Sequence, residues 1–277
     1  MTTYKLAVFG DSYADCKGPR QDTEGWQLNL CQRRGWNMHS DTINSGESGA
    51  GNWWGMWNLL RDLDLNHYEN IVFSVTNGWR LPITSNPGCH FSYTYLGYAC
   101  QRTAQEKEWY GKDQDQHGEI GKNNGTWPSE LYRVWQELFD PENDNMLNNF
   151  ISQAVVNKLF EIGKKHNVVI LMPFGSREYD LSQNTCTIIE HLDKASMKEM
   201  HAGDTNIDWI EWKTHAHNDE RTNHLNDNNN KILAKIIDES LLNNEPQVIN
   251  FSTVAGLDFH KDTLGKYGKI HYHSQIS

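Results

Sequence analysis

Positive charge is scarce in this sequence: 25 Lys and Arg stand against 36 Asp and Glu, a formal net charge of -11 over 277 residues. No Lys/Arg cluster offsets that excess, and phosphate contacts need one, so a duplex-wrapping nucleic-acid binder is disfavoured and at most a local basic groove is left. No nucleic-acid partner is expected. The five cysteines, Cys16, Cys31, Cys89, Cys100 and Cys186, are odd in number and form no CxxC pair, which argues against a disulfide framework and a zinc ribbon. They read as reduced, buried small hydrophobes rather than nucleophiles. No apolar run approaches the ~20 residues of a membrane span, and the N-terminus enters a strand pattern at once, leaving no room for a signal peptide. A chain with no membrane partner is therefore expected, either cytoplasmic or exported by a route the sequence does not show. Repeats of solenoid length are also missing.

What is present is enough for a core. Apolar residues make up 37% of the chain and aromatics 11%, low for a globular protein but far richer in Trp and Tyr than a disordered chain. The length suits one large domain or one domain with an insertion. Apolar runs of strand length alternate with helical patterns, which favours α/β architecture: a parallel sheet covered on both faces. Lys5 to Phe9 reads as the first strand. Gly25 to Arg34 carries Trp26, Leu28, Leu30 and Cys31 at helical spacing, with Gly35 placed to end the helix. Asp41 to Asn44 is a short second strand before a Gly-rich turn, and Trp53, Met56, Trp57, Leu60 and Leu63 mark the inner face of a second helix. Ile71 to Thr76 is the third strand, stopping at Asn77-Gly78.

From about 80 to 145 the chain is polar and aromatic without sustained periodicity, apart from a short helix expected near Ser129 to Leu138. So long a stretch inside a domain reads as an insertion packing as a cap near the active face. Order returns with a helix over Met146 to Lys165, a buried strand over Val168 to Pro173, a short strand over Asp208 to Trp212, and a helix over Asn228 to Leu242 with Ile232, Leu233, Ile236 and Ile237 inward. One domain over 1–277 is expected, ending in a tail at about 244–277.

The turns carry the chemistry. In an open parallel sheet the ligand crevice lies beyond the carboxyl ends of the strands, where this order places Gly10-Asp11-Ser12, the turn from Asn44 to Gly49, and Asn77-Gly78. A Ser at a strand-to-helix turn can expose its hydroxyl while a following backbone N–H points at the reacting centre; Gly permits close approach and Asn donates N–H. The late segment HAHNDERTNHLND adds His215, His217 and His224 with Asp219 nearby, a source for a base and the carboxylate that orients it. Asp11 reads as a structural acceptor in its turn. His215, His217, Asp219 and His224 would alternatively form a metal site, but a metallohydrolase leaves the Ser and Asn turns unexplained. The expected site therefore contains no metal.

Gly10-Asp11-Ser12 after the first strand, Asn44 to Gly49 after the second, Asn77 after the third and His224 before the final helix together resemble the SGNH hydrolases, the GDSL-type esterase and lipase superfamily. The resemblance covers Tyr4 to Asn77 and about Val168 to Leu242. It implies a three-layer α/β/α sandwich of flavodoxin-like type, with the insertion following the third strand. It also implies Ser12 as nucleophile, His224 as base, and the Ser12 backbone, Gly49 and Asn77 as oxyanion donors. Two departures stand out: the third-strand motif is Val-Thr-Asn-Gly rather than Gly-x-Asn-Asp, and the position three before His224, where the family carries its acid, holds Arg221. Asp219 is the preferred acid, being the shorter carboxylate for a tight loop. Glu220, or a Ser-His dyad oriented by a backbone carbonyl, are the alternatives.

The expected activity is a serine esterase working through an acyl-enzyme, without cofactor. The insertion lacks an apolar lid helix, which favours short acyl groups, acetyl first, with a small-molecule or carbohydrate ester as substrate. Trp79 and Trp127, and also Trp109, are candidate stacking platforms for a sugar. A thioesterase or acyltransferase of the same fold, or a catalytically silent ligand-binding or structural protein, are the competing expectations.

Overall fold

A computed structural model describes residues 3–14, 25–46, 51–61, 65–76, 146–177, 179–196 and 224–258. The described elements are strands β1 (Leu6–Gly10), β2 (Thr42–Gly46), β3 (Asn70–Ser74), β4 (Asn167–Met172), β5 (Thr187–Glu190) and β6 (Gln247–Asn250), with helices α1 (Trp26–Arg34), α2 (Asn52–Arg61), α3 (Met146–Gly163) and α4 (Asp227–Asn243). Short 3-10 turns cover Leu65–His67, Leu192–Ala195 and Phe251–Thr253.

All six strands join one sheet in the order β2-β1-β3-β4-β5-β6, and every neighbouring pair is parallel. Alternation along the strands divides the core into two layers. Leu6 and Val8 of β1, with Val72, Val169 and Ile189, pack against Trp26 and Leu30 of α1 and Leu233, Ala234 and Ile237 of α4. Ala7 and Phe9, with Ile71, Phe73, Ile170 and Ile188, pack against Met56 and Leu59 of α2 and Val156, Leu159 and Phe160 of α3. Strands buried on both faces explain the near-continuous apolar runs. The expected α/β parallel sheet is observed.

On the first layer Asp238 of α4 accepts from the Nε of both Arg33 (3.1 Å) and Arg34 of α1. Gly35 takes the left-handed conformation (φ 65°) that ends α1, its N–H turned back to Cys31 and Gln32, as its place in the sequence foretold. On the second layer the face of α2 differs from expectation. Met56 and Leu59 are buried, whereas Trp57 is 52% exposed and Leu60 also lies at the surface. The cause is Gly55: a Cβ there would sit 2.8 Å from the Phe73 ring and 3.0 Å from the Gly10 Cα. The helix backs onto the sheet along its smallest residue, and Trp57, two positions on, is turned outward.

Two strands have no counterpart in the sequence reading. β5 is four residues, Thr-Ile-Ile-Glu, and β6 is four residues, the last strand in the order of the described sheet, within the stretch read as a tail. The expected strand at Asp208 to Trp212, the helix near Ser129 to Leu138 and the insertion at 80–145 lie outside the described residues.

Candidate active site

The chain reverses between β1 and its two neighbours: β2 lies on one side and β3 on the other. At such a switch point the loops leaving adjacent strands part and open a crevice at the carboxyl edge. Gly10-Asp11-Ser12 leaves β1 there. Gly10 has φ +123° and stands in register with Ser74 of β3, and a Cβ on it would lie 2.3 Å from the Ser74 carbonyl oxygen. Only glycine fits at that point.

The turn that follows is closed by Asp11. Its carbonyl accepts from the Ala14 N–H at 2.9 Å, and its Oδ1 accepts from the Tyr13 N–H at 3.0 Å and the Ser74 hydroxyl at 2.8 Å. Asp11 therefore acts as a structural acceptor. Beyond it, the Tyr13 carbonyl accepts from the Trp26 indole at 2.8 Å. The Ala14 carbonyl accepts from Gln27 of α1 at 2.9 Å and Asn44 of β2 at 2.8 Å. Both sides of Ser12 are thus tied to neighbouring elements, and Ser12 itself is 5% exposed.

His224 arrives from the opposite end of the chain. Leu225 forms an antiparallel bridge with Ser196, and its carbonyl accepts from Asn230 at 3.0 Å. Asn226 caps α4, accepting from the Asn229 N–H at 2.9 Å, and donates to Asp258 at 2.9 Å. Asn229, fully buried, donates to the Ala195 carbonyl at 3.0 Å and accepts from the Asp258 N–H at 2.8 Å. These bonds fix the chain on the C-terminal side of His224. Its ring, 5% exposed in the residue as a whole, stacks on that of Tyr13 with centroids 4.6 Å apart and planes inclined by 26°. Tyr13 meets a third ring, Phe174 after β4, edge to face at 6.4 Å and 87°. Phe174 is 43% exposed.

The end of β3 is also anchored. The Asn52 side chain of α2 accepts from the Thr76 N–H at 2.7 Å and donates to the Thr76 carbonyl at 2.9 Å, holding the residue just before Asn77. Beyond β2, the Asn44 side chain accepts from the Gly46 N–H at 2.8 Å.

Of the residues expected from sequence, Ser12 and His224 come to one edge of the sheet, bridged by Tyr13. Gly49, Asn77, Trp79, Trp109, Trp127, His215, His217, Asp219, Glu220 and Arg221 lie outside the described residues. Tyr13, Phe174 and Ser74 were not singled out by sequence, and neither was the pair at the end of β5. There Glu190 accepts from the Ser176 hydroxyl, and His191 lies 3.6 Å from Glu190 through Nε2. His191 adopts φ 61° over Gly175, where a Cβ would come within 2.4 Å of its ring. Recognising this pair required first recognising β5. Among the described residues, no group of three or more His, Cys, Asp or Glu is arranged to hold a metal ion, and no helix is long and apolar enough to cross a membrane.

Comparison of the chain with protein-family models, curated proteins and solved structures gave no match.

Proposed function

We propose that this protein is a serine hydrolase cleaving carboxylic esters, built on the SGNH plan of a three-layer, flavodoxin-like sandwich with an insertion after β3. The observation that carries the reading is the stacking of His224 on Tyr13, the residue next to Ser12: an imidazole from the far end of the sequence packs against the neighbour of a serine in the turn that leaves β1, at the edge where a parallel sheet opens its crevice. Gly10, the Asp11 turn and the Asn229 network support it, since they hold the two segments on rigid elements as precise chemistry requires.

In this reading Ser12 attacks the acyl carbon as its proton passes to His224. The imidazolium returns the proton to the leaving alcohol, and water, deprotonated by the same base, releases the acid from the acyl-enzyme. The Ser12 backbone N–H, Gly49 and Asn77 are the proposed oxyanion donors. Asp219 is the proposed orienting acid, with Glu220 or a backbone carbonyl as the alternatives for that role. Short acyl groups, acetyl first, are the proposed substrates, on a small alcohol or a sugar for which Trp79 and Trp127 would be stacking platforms. No cofactor enters the steps.

A fluorophosphonate probe tests this directly. Labelling is expected at Ser12, and Ser12→Ala is expected to abolish both labelling and hydrolysis of acetyl esters. Hydrolysis that survives Ser12→Ala and is lost with chelator would replace the proposal with a metal-dependent one.

A further inference from the structure

We propose that Tyr13 is a positioning residue for His224, its ring face both holding the imidazole and stabilising the imidazolium formed when Ser12 gives up its proton. The inference rests on the serine-hydrolase reading above.

The geometry is that of a face contact: centroids 4.6 Å apart and a tilt of 26°. A neutral imidazole stacks in this way, and on gaining a proton it becomes a cation over the negative face of a phenol ring. The contact therefore strengthens as charge develops, which is the condition for an interaction to accelerate a reaction rather than merely bind. Both residues are 5% exposed, so water does little to screen the attraction. Tyr13 is also held from several sides. Its N–H is taken by Asp11 and its carbonyl by the Trp26 indole, and its ring packs against Phe174. A platform so fixed can fix what lies on it.

This role is separable from that of the orienting acid. A carboxylate or carbonyl engages an imidazole N–H in the ring plane, whereas Tyr13 acts on the face, so the two contributions add whichever group fills the in-plane position. Asp11, the carboxylate beside Tyr13 in sequence, is engaged by Ser74 and the Tyr13 amide. The phenolic hydroxyl has no part in the proposal; the ring face does.

The test is steady-state hydrolysis of an unactivated alkyl acetate, whose leaving group needs the proton, by Tyr13→Phe, Tyr13→Leu and a variant with 3,4,5-trifluorophenylalanine at position 13. Tyr13→Phe is expected to keep kcat within about twofold. Tyr13→Leu is expected to lower kcat by about 10- to 30-fold with KM changed less than about twofold, matching a desolvated cation–π contact. The fluorinated ring has the shape of Phe but a depleted face, and is expected to fall between them. Equal kcat for the fluorinated variant and Tyr13→Phe, or equal loss in Tyr13→Phe and Tyr13→Leu, would overturn the proposal. Should Tyr13→Leu fail to fold, the comparison of the two aromatic variants alone decides. Fluorophosphonate labelling of the unmodified protein separates the two levels. A labelled protein insensitive at position 13 overturns only this inference, while an unlabelled, inactive one overturns the hydrolase reading and this inference with it.

Discussion

Ser74 donates its hydroxyl to Asp11 at 2.8 Å, joining the last residue of β3 to the first residue beyond β1. Both are 1% exposed, so the bond lies in a medium where losing it is costly. Ser74→Ala leaves the carboxylate one donor short, and a buried hydrogen bond to a charged group contributes about 1.5–3 kcal/mol. Urea denaturation is expected to show Ser74→Ala less stable by about 2 kcal/mol. A variant as stable as the parent would mean that the turn around Ser12 is held without this bond.

Gly10→Ala is expected to be worse. The new methyl meets the Ser74 carbonyl at 2.3 Å, and the backbone sits at φ +123°, so steric overlap and conformational strain, each on the order of 1–3 kcal/mol, act together. A loss of about 3 kcal/mol or more in the same denaturation measurement is the expected result. Unchanged stability would contradict the close approach of β1 to β3.

Asp238 fastens α1 to α4 by accepting from Arg33 and Arg34. Asp238→Ala removes the shared acceptor and leaves two neighbouring guanidinium groups of α1 without their carboxylate partner on α4. The expected destabilisation is about 2 kcal/mol, below the full value for a buried ion pair because Arg33 is partly solvated. Double-mutant cycles with Arg33→Ala and Arg34→Ala should show coupling at both; its absence would assign the cost to packing.

Burial pushes the Cys186 thiol up from 9.0 to about 11. Between these values the unfolded thiol has lost its proton while the folded one keeps it, so the unfolded state binds fewer protons and stability falls as pH rises. The contribution is complete below pH 9 and is lost toward pH 11, amounting to up to about 2 kcal/mol. Unfolding free energies measured from pH 8 to 11 should therefore fall more steeply for the parent than for Cys186→Ala. Parallel curves would show that the thiol is not the titrating group.

Phe174 presents an exposed ring beside Tyr13. If Ser12 is the nucleophile, this ring is an apolar wall at the mouth of its crevice. Phe174→Ala is expected to alter stability by less than about 0.5 kcal/mol, as surface changes do, while raising KM for a butyrate ester more than for an acetate. Equal effects on both esters would remove Phe174 from the acyl side.

The sheet was legible where strands are long and buried on both faces. Leu6 to Phe9, Ile71 to Ser74 and Val168 to Met172 are runs that water cannot accommodate in any other arrangement. β5 and β6 escaped notice because four-residue strands with polar ends carry no period of their own; their neighbours recruit them. The outward turn of Trp57 on α2 has a related cause. Apolar residues surround that helix, so periodicity could not choose among them, and the choice fell to Gly55 through its approach to Phe73 and Gly10.

The candidate site divides in the same way. Ser12 and His224 could be singled out from residue type, strand context and order along the chain. Tyr13 could not, because nothing local distinguishes it from any aromatic residue after a turn.

What the amino-acid sequence determined alone was the set of local choices: which runs must be buried, where Gly10 and Gly35 let the backbone turn, and which polar residues follow the strands. Those depend on side chains and backbone within a few positions of one another. Only the tertiary structure decided that α2 turns Gly55 inward, that two short polar-ended strands join the sheet, and that the ring of His224 rests on Tyr13. Each of these depends on contacts between residues far apart in the chain, and such contacts acquire an energy only when the sheet has brought their partners together.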